Sequence, residues 1–414
     1  MQSREVFEQL LGVMVPWRVS EVDLALKENK VRVYVDLDEQ AILVCPECET
    51  PCPGYDRRRR QWRHLDTMQY ETLVIAEVPR LKCPEHGVCQ ISVPWAEDRS
   101  RFTALFEALV INWLQEASFA AVARQLGLSW DQVAGIQDRA VRRGLARREL
   151  RAPKFVGVDE TSFQKRHEYV TSVVDLEAGV VLHVADGRSQ GVLDGFYQAL
   201  GSEGCAAIEA VAMDMWPAYI NSTREHVPAA DEKIVFDKFH LAQHLGDAVD
   251  KVRRQEHREL SRQGDDRLKN SKYLWQKNHL TGDQKQRFQA LRRSELKVAR
   301  AWAIKELAMG LWNYVRRGWA EKMWNRWYAW AIRSRLEPIK RVARMIKRHW
   351  DGVMNAVTSN ITNATSEGMN SKIQWIKRKA CGYRNRERFR NAIYFHLGGL
   401  DLHPRVVQWA HTKA

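Results

Sequence analysis

Two apolar runs that each close on an aspartate constrain this chain more than any other feature. Phe155-Val156-Gly157-Val158 runs into Asp159, and Ala207-Ile208-Glu209-Ala210-Val211-Ala212-Met213 runs into Asp214. Short apolar runs bounded by polar residues read as buried strands. Each carboxylate is thereby delivered to the rim of a sheet rather than into its core. Lys233-Ile234-Val235-Phe236 repeats the pattern before Asp237 and His240. Between the first two runs, residues 169–175 and 180–185 flank the turn Glu177-Ala178-Gly179, and a helix is predicted over 191–200.

The order strand-strand-strand-helix-strand-helix-strand, with acids closing the first and fourth strands, predicts an α/β core of the RNase H-like, retroviral-integrase-like type. Neighbouring strand ends there bring carboxylates close enough to share two metal ions about 4 Å apart, which clamp the attacking and leaving oxygens of a displacement at phosphorus. Hard oxygen ligands select Mg(II) or Mn(II). A third carboxylate has to come from a helix packed on the sheet, and residues 362–373 carry Glu367 close to a helix start. Asn370 lies three residues on, on the same helical face, placed to orient that carboxylate or touch DNA. Lys372, Lys377 and Arg378 follow, suited to phosphates along the approach.

The N-terminal third has different chemistry. Cys45-Pro46-Glu47-Cys48 and Cys83-Pro84-Glu85-His86 are two pairs of equal internal spacing, 35 residues apart. Four such donors close a tetrahedral, structural zinc site, with Cys89 as the alternative fourth ligand and Cys52 within reach. Five of the seven cysteines fall between Cys45 and Cys89, which points to metal rather than disulfides. Between the pairs, Arg57, Arg58, Arg59, Arg60 and Arg63 are interleaved with Tyr55 and Trp62. That mixture reads equally as a phosphate-gripping, ring-stacking patch or as a solvated basic turn.

From residue 101 the period becomes helical, and residues 118–133 read as a helix, a Gly127 turn and a second helix capped by Ser129, the helix-turn-helix pattern. Its second helix presents Ser129, Trp130, Gln132 and Gln137 to a major groove. Arg142 and Arg143 belong to the basic continuation that closes at Pro153.

The 152 residues between Asp214 and Glu367 exceed what a compact core needs, so an all-α domain is predicted as an insertion over 241–350. That stretch holds 27 Lys plus Arg against 11 Asp plus Glu, and this local surplus exceeds the net charge of +14 for the whole chain. Its eight tryptophans, Trp312, Trp319, Trp327 and Trp330 among them, fall at helical steps and are predicted to form its core. Paired cations such as Arg253 and Arg254 would track phosphates. The predicted domains are 1–98 (zinc-binding), 99–152 (helix-turn-helix), 153–240 with 351–414 (catalytic core) and 241–350 (basic helical insertion). A chain this basic selects a polyanion, and no apolar run reaches the roughly 18–20 residues that span a bilayer. With no signal-peptide layout at its start, a cytoplasmic, nucleoid-associated protein is expected.

At Gly157-Val158-Asp159-Glu160, Met213-Asp214-Met215-Trp216, Phe236-Asp237-Lys238-Phe239-His240, residues 363–370 with Gly382-Tyr383-Arg384-Asn385, and the cysteine pairs, the chain resembles the ISL-three-type insertion-sequence transposases. The resemblance implies a DDE transposase in which Asp159, Asp214 and Glu367 are the metal ligands and Asp237 and His240 stand beside them. It implies an N-terminus that recognises terminal inverted repeats, strand cleavage and strand transfer into target DNA, and a homodimer or larger assembly on DNA. A catalytically silent regulator, or a structure-selective nuclease of the same fold, is the alternative. One departure is Cys381, where the family has a larger apolar residue.

Overall fold

The computed structural model describes residues 3–164, 168–236, 238–276, 280–358 and 364–405; Asp237 lies outside them, as do the side chains of Ser366 and Glu367. The chain divides into two compact units, Met1–Arg148 with Tyr394–Ala414, and Glu149–Ile393.

In the first unit, α1 (Ser3–Leu11) is followed by β1 (Trp17–Ala25), β2 (Lys30–Leu37), β3 (Gly54–Arg63), β4 (Glu71–Cys83) and β5 (Gly87–Gln90). They form one sheet in the order β1-β2-β4-β3, with β5 beside the end of β4. In β2 the period of two is clean: Val31, Val33, Val35 and Leu37 are buried and the residues between them are not. Trp17 and Trp62 each meet Trp95 edge to face, at 5.0 and 5.4 Å, and close the core over this sheet.

Three helices follow, α2 (Ala104–Glu116), α3 (Phe119–Leu126) and α4 (Trp130–Arg147). Gly127, with φ of 65°, ends α3, and Ser129 and Gln132 form a reciprocal capping box at the start of α4. The C-terminal stretch, expected with the catalytic core, packs within this unit: Arg147 donates to Asp401 at 2.9 Å and to the His403 carbonyl at 2.7 Å.

The second unit is built on β6 (Phe155–Gln164), β7 (Glu168–Asp175), β8 (Val180–Asp186), α5 (Gln190–Ala207), β9 (Ala210–Met213), α6 (Pro217–His226), α7 (Ala230–Lys233) and β10 (Ile234–Phe236). The sheet order is β10-β9-β6-β7-β8, with β6 antiparallel to β7 and parallel to β9, and β9 parallel to β10. Two details differ from the sequence reading. β6 runs five residues past Asp159, because β7 keeps pairing with it as far as Gln164. β9 is shorter than its apolar run, since Ile208 only caps α5.

After β10 come α8 (Lys238–Ser261), α9 (Gly282–Arg292), α10 (Lys297–Met309), α11 (Arg317–Arg333), α12 (Glu337–Arg348), α13 (Trp350–Thr358), α14 (Ala364–Lys379) and α15 (Arg386–Leu397). The buried residues of α8 to α13 join those of the sheet in one continuous cluster, from Val156 and Phe236 through Leu245 and Val252 to Trp327 and Ile346. The helical segment therefore shares the core of the sheet instead of owning a separate one. Trp327 is fully buried and donates Nε1–H to the Ile304 carbonyl at 2.8 Å. Trp319 and Trp330 were expected in that core but are 59% and 39% exposed, because they sit on the outer face of α11. Among the described residues no helix is long and apolar enough to cross a membrane.

His64 links the first sheet to α2, its Nδ1 lying 2.9 Å from Thr103 Oγ1. Burial, aided by the Arg63 charge, pushes its pKa down to about 4. The folded pKa lies below the unfolded one, so the stability tied to neutral His64 is complete above about pH 6.5. It is lost as pH falls through about 4, to a limit of about 3 kcal/mol. Thermal melts between pH 7 and pH 4.5 should show a fall in Tm that His64→Gln largely removes; an equal fall in both proteins would refute the assignment.

Candidate active site

Gly157 of β6 lies opposite Ala212 of β9 in a parallel pairing. Two further residues along that register set Asp159 level with Asp214, just past the last paired residues. Parallel strands are about 4.8 Å apart, so the two carboxylates leave adjacent backbones at one rim. Asp159 is thus mid-strand in β6 but at the rim of the β6–β9 pair.

Each carboxylate is held by its own backbone and by a helix. Asp159 Oδ1 accepts the Glu160 N–H at 2.6 Å, and Oδ2 accepts from Asn370 Nδ2 of α14. Asp214 Oδ1 accepts the Met215 N–H at 2.6 Å and lies 3.1 Å from His240 Nδ1 of α8. Burial pushes the Asp214 pKa up, but the His240 hydrogen bond and charge, the Met215 N–H and the His244 charge outweigh it, and the net shift is downward. These groups favour the ionised form of Asp214. Glu367 precedes Asn370 by one helical turn; its side chain lies outside the described residues, as does Asp237. Buried Met369, Ile373 and Ile376 seat α14, and Lys377 Nζ donates to the Ser162 carbonyl at 2.7 Å, fastening the helix to β6.

Two residues of this neighbourhood escaped the sequence reading. Burial, together with the Asp214 and Asp159 charges, raises the pKa of Glu160, while Arg188 and His240 oppose the rise. Arg188, in the turn after β8, lies 3.7 Å from Glu160 Oε2. Glu160 had the signal of adjacency to Asp159; Arg188 had none, since only the fold brings position 188 to the rim.

In the first unit the ligand atoms of Cys45, Cys48, Cys83 and His86 lie within 4.8 Å of one another. Cys48 and Cys83 Sγ are 3.7 Å apart, and His86 Nδ1 is 3.7 and 3.6 Å from Cys45 and Cys83 Sγ. A tetrahedron with zinc–sulfur bonds of about 2.3 Å has edges of about 3.8 Å, so the donor set fits zinc. Cys89 Sγ is 3.9 Å from Cys45 Sγ but outside the mutually close set. The Cys48 backbone N–H leads the groups that bring the Cys45 thiol down to about 7, toward the thiolate zinc requires. Gly87, with φ of +69°, makes the turn that returns His86 to the cluster.

The expected DNA-facing residues separate into two groups. Arg57, Arg58 and Arg59 are exposed on edge strand β3, and Ser129, Trp130, Gln132, Arg142, Lys372 and Arg378 are exposed on their helices. Others are committed internally. Trp62 is 1% exposed in the core, so it has no face for a base. Arg63 lies over the Phe106 ring at 5.0 Å and pairs with Asp66 and Glu71. Arg60 donates to Gln90 at 2.9 Å, and Gln137 is buried. Arg143 pairs with Glu97 and with Glu107, itself buried, and donates to the Leu402 carbonyl. In the second unit Arg253 is buried against Asp250 at 2.7 Å.

A family model described as a transposase matches residues 156–393. The helix-turn-helix domain of transposase family ISL3 matches residues 91–141, and the zinc-finger of transposase IS204/IS1001/IS1096/IS1165 matches residues 43–89. The transposase for insertion sequence element IS1001 of Bordetella parapertussis is 28% identical, covering 84% of this chain and 87% of its own length. The transposase for insertion sequence element IS1557 of Mycobacterium tuberculosis is 28% identical, with 93% of each chain covered.

The two neighbouring arginines of α4 should therefore behave oppositely. Arg143→Ala should lower stability by about 3 kcal/mol, as breaking a buried ion-pair network does. Arg142→Ala should change stability by less than about 0.5 kcal/mol and flatten the salt dependence of DNA binding. Chemical denaturation and salt-titrated binding check both; a stable Arg143→Ala protein with a reduced salt slope would reverse the assignment.

Proposed function

Because the chain belongs to the ISL3 family of transposases, we propose that it binds the terminal inverted repeats of an insertion sequence and carries out two-metal-ion DNA cleavage and strand transfer. The observation that carries this reading is the β6–β9 register, which sets Asp159 beside Asp214 with Asn370 reaching Asp159 from the helix that bears Glu367. The second-unit sheet, with its order β10-β9-β6-β7-β8 and acids at one rim, then serves as an RNase H-like core interrupted by a basic helical segment.

Asp159, Asp214 and Glu367 form an all-oxygen donor set suited to Mg(II) or Mn(II). When bound, such ions activate the attacking oxygen and neutralise charge on the leaving one. The protein's own part is positional. Asn370 fixes the rotation of Asp159, and His240 fixes Asp214 and keeps it ionised. The attacking groups are water and then a DNA 3′-hydroxyl, so no covalent protein–DNA intermediate is needed. Arg57, Arg58 and Arg59, the start of α4 with Ser129, Trp130 and Gln132, and Lys372 and Arg378 supply contacts to DNA. Zinc held by Cys45, Cys48, Cys83 and His86 fixes the first unit. Two ends must be held together, which calls for a homodimer or larger assembly, acting in the cytoplasm.

Incubating the protein with labelled terminal-repeat duplex and Mg(II) or Mn(II) should give cleaved and joined products, lowered at least about 100-fold in Asp214→Asn. Products equal to the variant's would refute the enzyme reading, and cleavage without joining would make the protein a nuclease. Elemental analysis should find about one zinc per chain, lost in Cys45→Ser and retained in Cys89→Ser. Zinc retained by Cys45→Ser would overturn the ligand assignment.

A further inference from the structure

Arg188 is held more tightly than a surface arginine needs to be. Its guanidinium carbon lies 4.7 Å from the Tyr169 ring centroid and 4.4 Å from that of Trp216, so aromatic faces from β7 and from the segment after Asp214 pack on it. Its backbone is pinned as well. The Arg188 carbonyl accepts Trp216 Nε1–H at 2.9 Å, and the preceding Gly187 donates its N–H to the Tyr169 carbonyl at 2.8 Å. Thr171 Oγ1 donates to the Gly187 carbonyl at 2.6 Å. Cation–π contacts with ring faces consume no N–H donor, so they leave the five at the edge of the guanidinium unspent.

Among the described residues that edge meets one carboxylate, Glu160, at 3.7 Å, beyond hydrogen-bonding distance. A guanidinium recruited only to neutralise Glu160 would form a short, forked pair. This one stays 38% exposed, beside a rim where Asp159, Asp214 and Glu160 concentrate negative charge. DNA must bring a phosphate to that rim against their repulsion. A pre-stacked, fully charged fork next to the carboxylates offsets the repulsion with no side-chain ordering at the moment of binding.

We propose that Arg188, clamped between Tyr169 and Trp216, donates to a non-bridging oxygen of a DNA phosphate at the active site and orients it for attack. The proposal rests on the strand-cleavage reading of the same rim. Being held by rings and backbone, Arg188 serves the bound phosphodiester rather than initial capture of DNA.

The test is a substitution cycle across protein and DNA. Terminal-repeat duplexes each carrying one neutral methylphosphonate, moved a phosphate at a time along the end, are compared with wild-type protein and Arg188→Ala. Kd is measured in Ca(II), and single-turnover cleavage in Mg(II). Arg188→Ala should lose about 10²–10³-fold in the cleavage rate constant, with Kd changed less than about threefold. Arg188→Lys should recover only part of the rate, lacking the fork. At one phosphate the methylphosphonate penalty seen with wild type should vanish in Arg188→Ala. Equal penalties in both proteins at every position, or a rate loss matched by a lowered Tm in both variants, would make Arg188 a structural strut and overturn the proposal. Wild-type protein that binds the duplex without cutting it would instead overturn the cleavage reading, and the proposal that rests on it with it.

Discussion

The parallel pairing of β6 with β9 is the interaction on which the second unit depends. It spans only Phe155–Gly157 against Ala210–Ala212, yet it sets the register that brings Asp159 level with Asp214. A slip of one residue would turn Val158 toward the rim and Asp159 away from it, because side chains alternate faces with a period of two. Val156, Val158, Val211 and Met213, all buried, oppose that slip, since each would be forced onto the opposite face, which is also buried and is lined by the small residues Gly157, Ala210 and Ala212. Overpacking costs about 1–3 kcal/mol a site, so four together weigh heavily against a protein's whole stability. The geometry of the site is thus a by-product of hydrophobic register.

Much of this was legible in the sequence, for a definite reason. Apolar runs ending in carboxylates record burial and rim position together, so Asp159 and Asp214 could be named before any fold was known. The equal internal spacing of the cysteine pairs records a turn geometry, and those donors do converge. Ser129 and Gln132 were visible as a helix start, although they meet each other in the capping box as well as facing solvent. Arginines were not legible in this way. The text around Arg57 to Arg63 is uniform, yet β3 exposes Arg57, Arg58 and Arg59 and folds Trp62 and Arg63 inward. The edge position of β3 and the packing of Trp62 on Trp95 and of Arg63 on Phe106 decide that, and none of these is local.

The same lesson applies to net charge. A surplus of cations on 241–350 reads as a DNA-tracking face, but part of it holds the protein together. Arg253 is buried with Asp250, Lys297 bonds Glu259 at 2.6 Å, and Glu256 accepts the Lys297 and Val298 N–H groups at 2.6 and 2.7 Å, capping α10 from α8. Cations consumed by such contacts are not free to neutralise phosphates, so they displace few of the counterions condensed on DNA and add little to the salt dependence of binding. Formal charge therefore overstates the electrostatic footprint, and exposure must be known residue by residue.

What the sequence least secured was the return of the chain from the long helical segment to the rim. The fold makes that return at α13. Gly352 lies against β10 so closely that a Cβ there would come within 2.4 Å of the Phe236 ring, and Asn355 Nδ2 donates to the Ile234 and Asp231 carbonyls at 3.0 and 2.9 Å. Glycine permits the approach and asparagine satisfies backbone carbonyls at the exposed edge of the sheet. With α13 tied to the edge strand and α14 tied to β6 through Lys377 and Asn370, two adjacent helices are fixed to the same sheet from either side of residues 359–363. The position of α14 is set by its own contacts with β6, while the long segment that precedes it stays joined to the same sheet through their common core.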